Sequence, residues 1–296
     1  MSRTEPGIFP NRWLPYVLLA PQLLVTLVFF VWPSAEALID SFYQVGIFGI
    51  QRHFVGLDNF AVLLADGGFV HSFWVTLIYA GSTALLAMSL GLLFAVLADG
   101  VLRGRQLYRL LFLWPYAVAP AIAAVLWMFL FAPQTGLGSR VLIALGVHWN
   151  YAMNGTQAML LVIALTVWQQ LAYNFLFFTA GLQAIPPTLL EAATLDGAGP
   201  FMRFRDIVFP LLAPTTFFLL VMNTLFVFFD TFSIIDLVTG GGPAGATETL
   251  VYKVYRDGFQ NLNLGSAAAQ SILLMIMVST LTAIQFRLIE RRVHYR

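Results

Sequence analysis

Thr166, Gln169, Gln170 and Tyr173 recur at i, i+3, i+4 and i+7, so a helix that carries them projects two amides, a hydroxyl and a phenol from one face. None of these groups ionises or attacks at neutral pH; their chemistry is the donation and acceptance of hydrogen bonds. The flanking residues are mostly apolar, and lipid leaves amides unsatisfied, so the face must point at protein or at a watered cavity. Hydrogen bonding between helices is the alternative, since Gln does this well in membranes. The length of the stripe favours the cavity.

A second constellation runs from Glu191 to Pro210, EAATLDGAGPFMRFRDIVFP. Thr188 stands three residues before Glu191, the spacing of a capping box, and Pro186 and Pro187 suit a helix start, so a short helix is expected from about Thr188. Ala192 and Ala193 give it a low surface, Gly197 supplies a residue that can end it with positive φ, and Pro200 opens a second short helix that Pro210 closes. The result is two small helices joined at a tight bend, and such a pair can lie in the membrane interface as an amphipathic element.

Catalytic sets are missing. There is no cysteine, the four histidines at 53, 71, 148 and 294 are scattered, and no HExxH or other close pair occurs, so neither a metal site nor a thiol nucleophile is expected. The only lysine, Lys253, lies between Tyr252 and Val254 rather than in a glycine-rich phosphate loop, so the chain itself has no Walker-type ATP site.

The elements that must position these residues follow from composition. Of 296 residues 59% are hydrophobic and 10% charged, with 27 Phe and 7 Trp, and the mean hydropathy is +0.82; this is an all-α integral membrane protein. Six stretches are long enough to span as helices, roughly 13–33, 70–98, 106–131, 157–183, 211–238 and 266–288, within a single membrane domain over 1–296. Arg12, the apolar run after it and Ala35-x-Ala37 could pass for a signal peptide, but the run is long and further spans follow, so it is read as an uncleaved first helix.

Arginines cluster at 3 and 12, at 103, 105 and 109, at 203 and 205, and at 287, 291, 292 and 296, whereas the alternate loops hold only Arg52, Arg140, Lys253 and Arg256. By the positive-inside rule both termini and the loop 186–210 are cytoplasmic. A net charge of +1 gives no reason to expect nucleic acid.

Small residues repeat every four positions at Ala80 and Ala84 and at Ala87, Gly91 and Ala95, which suits close helix packing. Trp13, Trp32, Trp74 and Trp149 fall near span ends, as in an aromatic belt, and Thr239–Pro243, TGGGP, reads as a sharp external turn. Asp230 and Asp236 are the carboxylates in or near the fifth span; a helix contact is the reading for Asp230 beside a place on a substrate path, and an outer-surface position for Asp236.

The order EAA, three residues, Gly197, nine residues, Ile207, one residue, Phe209-Pro210 resembles the cytoplasmic loop of permease subunits in binding-protein-dependent ABC importers, with Phe209 where that family usually has Leu. The resemblance extends through RWLPYVLLAPQLL, FVGLDNF, PYAVAPAIAAVLW, YNFLFF, FFDTF, YKVYRDGF and QFRLIERRVHY to the A-type permease subunits of sn-glycerol-3-phosphate importers. It implies a type I ABC importer permease fold of six transmembrane helices in the bacterial inner membrane. It also implies a second homologous permease, an ATPase dimer that alone binds ATP and Mg, and a periplasmic binding protein. Glu191, Ala192, Ala193, Asp196 and Gly197 would then contact the ATPase.

Alignment with maltose permease through the Ala-Ile-Pro after the stripe places Thr166, Gln169, Gln170 and Tyr173 on its sugar-contacting face, with the residue type shared only at Tyr173. The same resemblance adds Tyr116, Thr224 and Thr231 to the substrate path. A phosphate dianion favours Arg, Lys or a helix N-terminus, and the spans hold no basic side chain, so phosphate selection would reside in the binding protein or the partner permease, with neutral sugar the alternative substrate. An ion-coupled transporter would call for more membrane carboxylates and a visible inverted repeat, and an intramembrane enzyme for a reactive set.

Overall fold

The computed structural model describes residues 13–46, 52–99, 110 and 112–290. The chain divides into two compact units, Met1–Ala65 with Val254–Leu273, and Asp66–Lys253 with Leu274–Arg296. The fold is helical apart from one small hairpin among the described residues.

In the first unit, α1 runs over Leu14–Asp40 with a wide turn at Leu27–Val31, and its side chains are almost all exposed. A helix apolar on every face needs an apolar surrounding, here lipid or another chain. The hairpin pairs β1, Tyr43–Val45, antiparallel with β2, Arg52–Phe54, placing Tyr43 opposite Phe54 with their rings edge to face at 5.4 Å. In α2, Asp58–Ala65, the Asn59 amide donates to the carbonyls of Ser41 and Tyr43 at 2.9 and 3.0 Å.

The second unit is built on α3, Gly67–Asp99, packed along α6, Gly155–Gln183. Ala80, Ala84, Ala87, Gly91 and Ala95 are all buried, as the four-residue repeat predicts. Gly91 shows why the spacing matters: a Cβ there would meet the Asn174 Cβ at 2.6 Å. Asp66 starts α3 by accepting from the amides of Gly68 and Phe69, each at 3.0 Å, and Asn154 starts α6 by accepting from the Gln157 amide.

The expectation of one continuous helix fails in two stretches. In 106–131, whose first residues lie outside those described, a tight 3-10 turn at Trp114–Ala117 and an extended Val118 precede α4, Pro120–Leu130. Pro115 and Pro120 account for the break, because proline lacks the N–H a helix needs and disfavours helical backbone before it. In 211–238, α9 covers Ala213–Phe229 and α10 Phe232–Val238, with the Thr231 hydroxyl back-bonding to the Val227 carbonyl at 2.8 Å beside the break, an interaction that bends helices.

Among the described residues four helices are long and apolar enough to cross a membrane, α1, α3, α6 and α12, which spans Leu264–Glu290; a bent pair makes a possible fifth. That pair is α8, Pro200–Leu211, and α9, meeting at 64° where Pro214 interrupts the hydrogen-bond ladder. Before it stand α5, Leu137–Ala144, and α7, Pro187–Leu195; α11, Leu250–Tyr255, follows α10. Trp13, Trp32 and Trp74 are exposed as a belt requires, whereas Trp149 is half buried and its indole donates to the Phe131 carbonyl at 2.9 Å. The TGGGP turn has positive φ at Gly240 and Gly241 and a cis peptide before Pro243.

Candidate functional site

The polar stripe of α6 divides between two tasks. Tyr116, Gln170, Tyr173 and Asp230 line one cavity of about 200 Å³ with Met222, Leu225 and Phe226. The Tyr116 and Tyr173 rings stack at 6.1 Å with 24° between their planes, and Tyr116 is brought there by the turn that Pro115 forces. Asp230 arrives from the other side, as the residue that ends α9. The break in each of two stretches thus supplies one side chain to the cavity.

Thr166 and Gln169 are instead consumed by packing. The fully buried Tyr79 hydroxyl lies 2.6 Å from the Thr166 hydroxyl, which donates to the Val162 carbonyl at 2.8 Å, and Thr231 neighbours the same phenol. Gln169 donates to the Val118 carbonyl at 3.2 Å, satisfying a backbone group that the break before α4 releases. Thr224 also lies elsewhere: it accepts from Gln285 at 2.9 Å and lines a larger, mainly apolar cavity of about 530 Å³ between α3, α9 and α12. That cavity offers a solute little hydrogen bonding.

Sequence reading missed the pair that fixes the cavity's walls. Asn174 and Asn223 are fully buried and bond reciprocally through their side-chain amides between α6 and α9. The signal was present, since Asn174 continues the run Thr166, Gln170 at another four-residue step, and Asn223 is a lone amide in an apolar helix.

The loop after α6 forms the two short helices expected. The first starts at Pro187 rather than Thr188, with Pro186 as its boundary residue and no side-chain cap, so the capping box between Thr188 and Glu191 is not made: proline at the first helical position needs no N–H partner there. The end follows the Schellman pattern, with the Ala198 amide donating to Ala193 O at 2.9 Å, the Gly197 amide to Thr194 O at 3.1 Å, and Gly197 at φ +83°. Pro210 does not close the second helix, which continues to Leu211 through a wide turn at Phe204–Val208. Proline acts here within the first turn of a helix segment, where it is tolerated.

Glu191, Ala192, Asp196 and Gly197 are exposed and Ala193 half exposed, and among the described residues nothing lies within 4 Å of a Cβ built on Gly197. Leu195 and Phe201 are 89% and 74% exposed on the same loop. Across the bend, the Arg203 guanidinium donates through Nη1 to the Thr194 hydroxyl at 2.7 Å.

At the N-terminal end of α3, Lys253 pairs with Asp66 at 3.4 Å with the lysine buried and the carboxylate partly exposed. Burial alone would raise the Asp66 pKa, but the Gly68 and Phe69 amides and the Lys253 charge together hold it below the usual carboxyl value.

Comparison with known proteins places this architecture. Residues 87–295 match the model of the binding-protein-dependent transport system inner membrane component. The chain is 58% identical to the sn-glycerol-3-phosphate transport system permease protein of Agrobacterium fabrum, over 97% of this chain and 98% of that protein. It is 51% identical to the protein of the same description from Escherichia coli O157:H7, over the whole of both chains. Among solved structures it is similar in fold to a chain of a bacterial ABC transporter involved in the import of the acidic polysaccharide alginate, with TM-score 0.82 and 22% identity over 94% of this chain and 96% of that one. This chain therefore belongs to the family of binding-protein-dependent transport system inner membrane components, with the permease fold of an ABC importer.

Proposed function

We propose that this chain is one of two homologous permeases in an ATP-driven, binding-protein-dependent importer of sn-glycerol 3-phosphate in the bacterial inner membrane. The observation that carries the reading is the loop from Pro187 to Leu211: a pair of short helices, tied across the bend by Thr194 and Arg203, that leaves Leu195 and Phe201 bare. Exposed apolar side chains grouped on such a joint suit a docked protein partner. The substrate class comes from relatives described as sn-glycerol-3-phosphate permeases over essentially their full length.

In this reading six spans cross the membrane as one domain, both termini and the loop are cytoplasmic, and Glu191, Ala192, Ala193, Asp196 and Gly197 contact an ATPase dimer. The chain does no chemistry: ATP and Mg bind the ATPase, and a periplasmic binding protein delivers the solute. A solved importer of this fold was crystallised with a ligand-bound periplasmic protein, which supports that partner. Tyr116, Gln170, Tyr173 and Asp230 line the path, Thr166, Gln169 and Thr231 pack behind it, and Thr224 faces the larger apolar cavity. Alternating access moves these walls when the ATPase closes and opens.

Uptake by vesicles holding the full subunit set tests this. Glycerol 3-phosphate should accumulate, uptake should stop when ATP hydrolysis is blocked, and it should survive an uncoupler. Accumulation of neutral sugars alone would return the substrate to the runner-up class, and abolition by the uncoupler with ATP hydrolysis intact would favour ion coupling.

A further inference from the structure

The 200 Å³ cavity has an electrostatic character that the proposed substrate must meet. Among the described residues Asp230 is the only charged one that lines it. No lysine, arginine or histidine occurs in α6, in α9 or in the Trp114–Ala117 turn, the elements that supply its lining. Among the described residues no hydrogen bond or ion pair holds the Asp230 carboxylate. The carbonyl end of the 17-residue α9 finishes at Phe229, immediately before Asp230, and adds partial negative charge at the same place. The other polar groups are two phenols and a primary amide, each able both to donate and to accept.

A phosphate dianion would find no cation here, and it would meet a carboxylate and a helix C-terminus of its own sign. Hydroxyl groups find the opposite. A carboxylate accepts from two neighbouring O–H donors, and the stacked Tyr116 and Tyr173 with Gln170 complete a set suited to a polyol. Glycerol 3-phosphate carries both characters, two adjacent hydroxyls at one end and phosphate at the other.

We propose that this cavity takes the hydroxyl-bearing end of the substrate, and that Asp230 is a specificity-determining residue that accepts from those hydroxyls and turns the phosphate towards the opposite wall of the path. The inference rests on the substrate reading above. It assigns the phosphate-binding cation to the second permease. It also separates two jobs that one subunit could have shared: recognition of the polyol here and neutralisation of the anion there.

The complete importer in proteoliposomes, with its binding protein saturating, provides the test. Uptake of glycerol 3-phosphate is compared with that of 3-hydroxypropyl phosphate, which keeps the phosphate and lacks the middle hydroxyl. Asp230→Leu should lower the preference for glycerol 3-phosphate by about tenfold, the scale of losing one hydrogen bond to a charged group. Asp230→Asn, which still accepts, should keep most of the preference. Asp230→Arg should weaken uptake of both compounds.

An unchanged preference in Asp230→Leu, or a higher apparent affinity for glycerol 3-phosphate in Asp230→Arg, overturns the orientation. Should one variant fail to assemble with the ATPase, the other two still decide it. A wild-type importer that takes up neither phosphate ester overturns the substrate reading itself, whereas wild-type uptake with unmoved preference overturns this inference alone.

Discussion

Asn174 and Asn223 exchange side-chain hydrogen bonds at 3.1 and 2.9 Å in a place neither water nor lipid reaches, and each donates its second N–H to a carbonyl one turn back on its own helix, Gln170 O and Leu219 O. Every N–H of the two amides is used, so the pair fixes α6 against α9 at one register. Since Gln170 and Met222 line the cavity and Asn174 and Asn223 follow them closely in the chain, the same register sets the cavity's width. Replacing one partner leaves the other buried and unsatisfied. Asn174→Leu or Asn223→Leu should each cost about 1–3 kcal/mol, and the double variant less than their sum. Thermal unfolding in detergent across the double-mutant cycle measures this; additive losses would mean the two amides act separately.

Gln169 and Gln170 are neighbours with different duties. Gln169→Leu removes the donor to Val118 O and should lower stability by about 1–3 kcal/mol. Gln170→Leu should leave assembly with partner subunits intact while uptake falls. Cysteine scanning separates them further: position 170 should react with an aqueous reagent in at least one transport state, and position 169 in none.

Gly197 is required by its backbone, because φ is +83° and among the described residues no neighbour lies within 4 Å of a Cβ built there. Gly197→Val should therefore strain the bend by about 1–2 kcal/mol even in the isolated chain, and in the complex reduce co-purification of the ATPase. Glu191→Ala breaks no cap, since none is formed, and should leave the chain's stability unaltered. Loss of ATPase association in Glu191→Ala with stability intact would locate that side chain at the partner's surface.

The Thr194–Arg203 hydrogen bond spans the Gly197 bend and ties α7 to α8. Thr194→Val and Arg203→Met should lower solute transported per ATP hydrolysed, to the same extent singly and together, and Thr194→Ser should restore it. Coupling equal to the wild type in both single variants and in the double variant would show that the backbone alone holds the joint.

Asp66 supplies a pH signature. Its folded pKa lies below the ordinary value of 3.8, so its contribution is present in full above that value and is lost as pH falls through the depressed folded pKa. The difference in unfolding temperature between wild type and Asp66→Ala should be constant at neutral pH and shrink below about pH 4. Near neutrality the cap is worth about 0.5–2 kcal/mol. A difference that grows on acidification would contradict the assignment.

The sequence by itself determined the class of fold, the close-packing face of α3 and the bent loop. Each of these rests on local facts: apolar runs of spanning length, alanine and glycine at four-residue spacing, and a glycine where positive φ is needed. It also singled out Tyr116, Gln170, Tyr173 and Asp230, though not as a set. Only the tertiary structure decided that these four share a cavity while Thr166 and Gln169 serve the packing. A helical stripe specifies a face, but a face some seven residues long meets more than one neighbour, here Tyr79 of α3, the freed Val118 carbonyl, and the cavity. The breaks before α4 and after α9 escape a hydropathy reading, which averages over them: their residues are as apolar as a spanning helix, and the backbone geometry shows that prolines and a back-bonded threonine interrupt it.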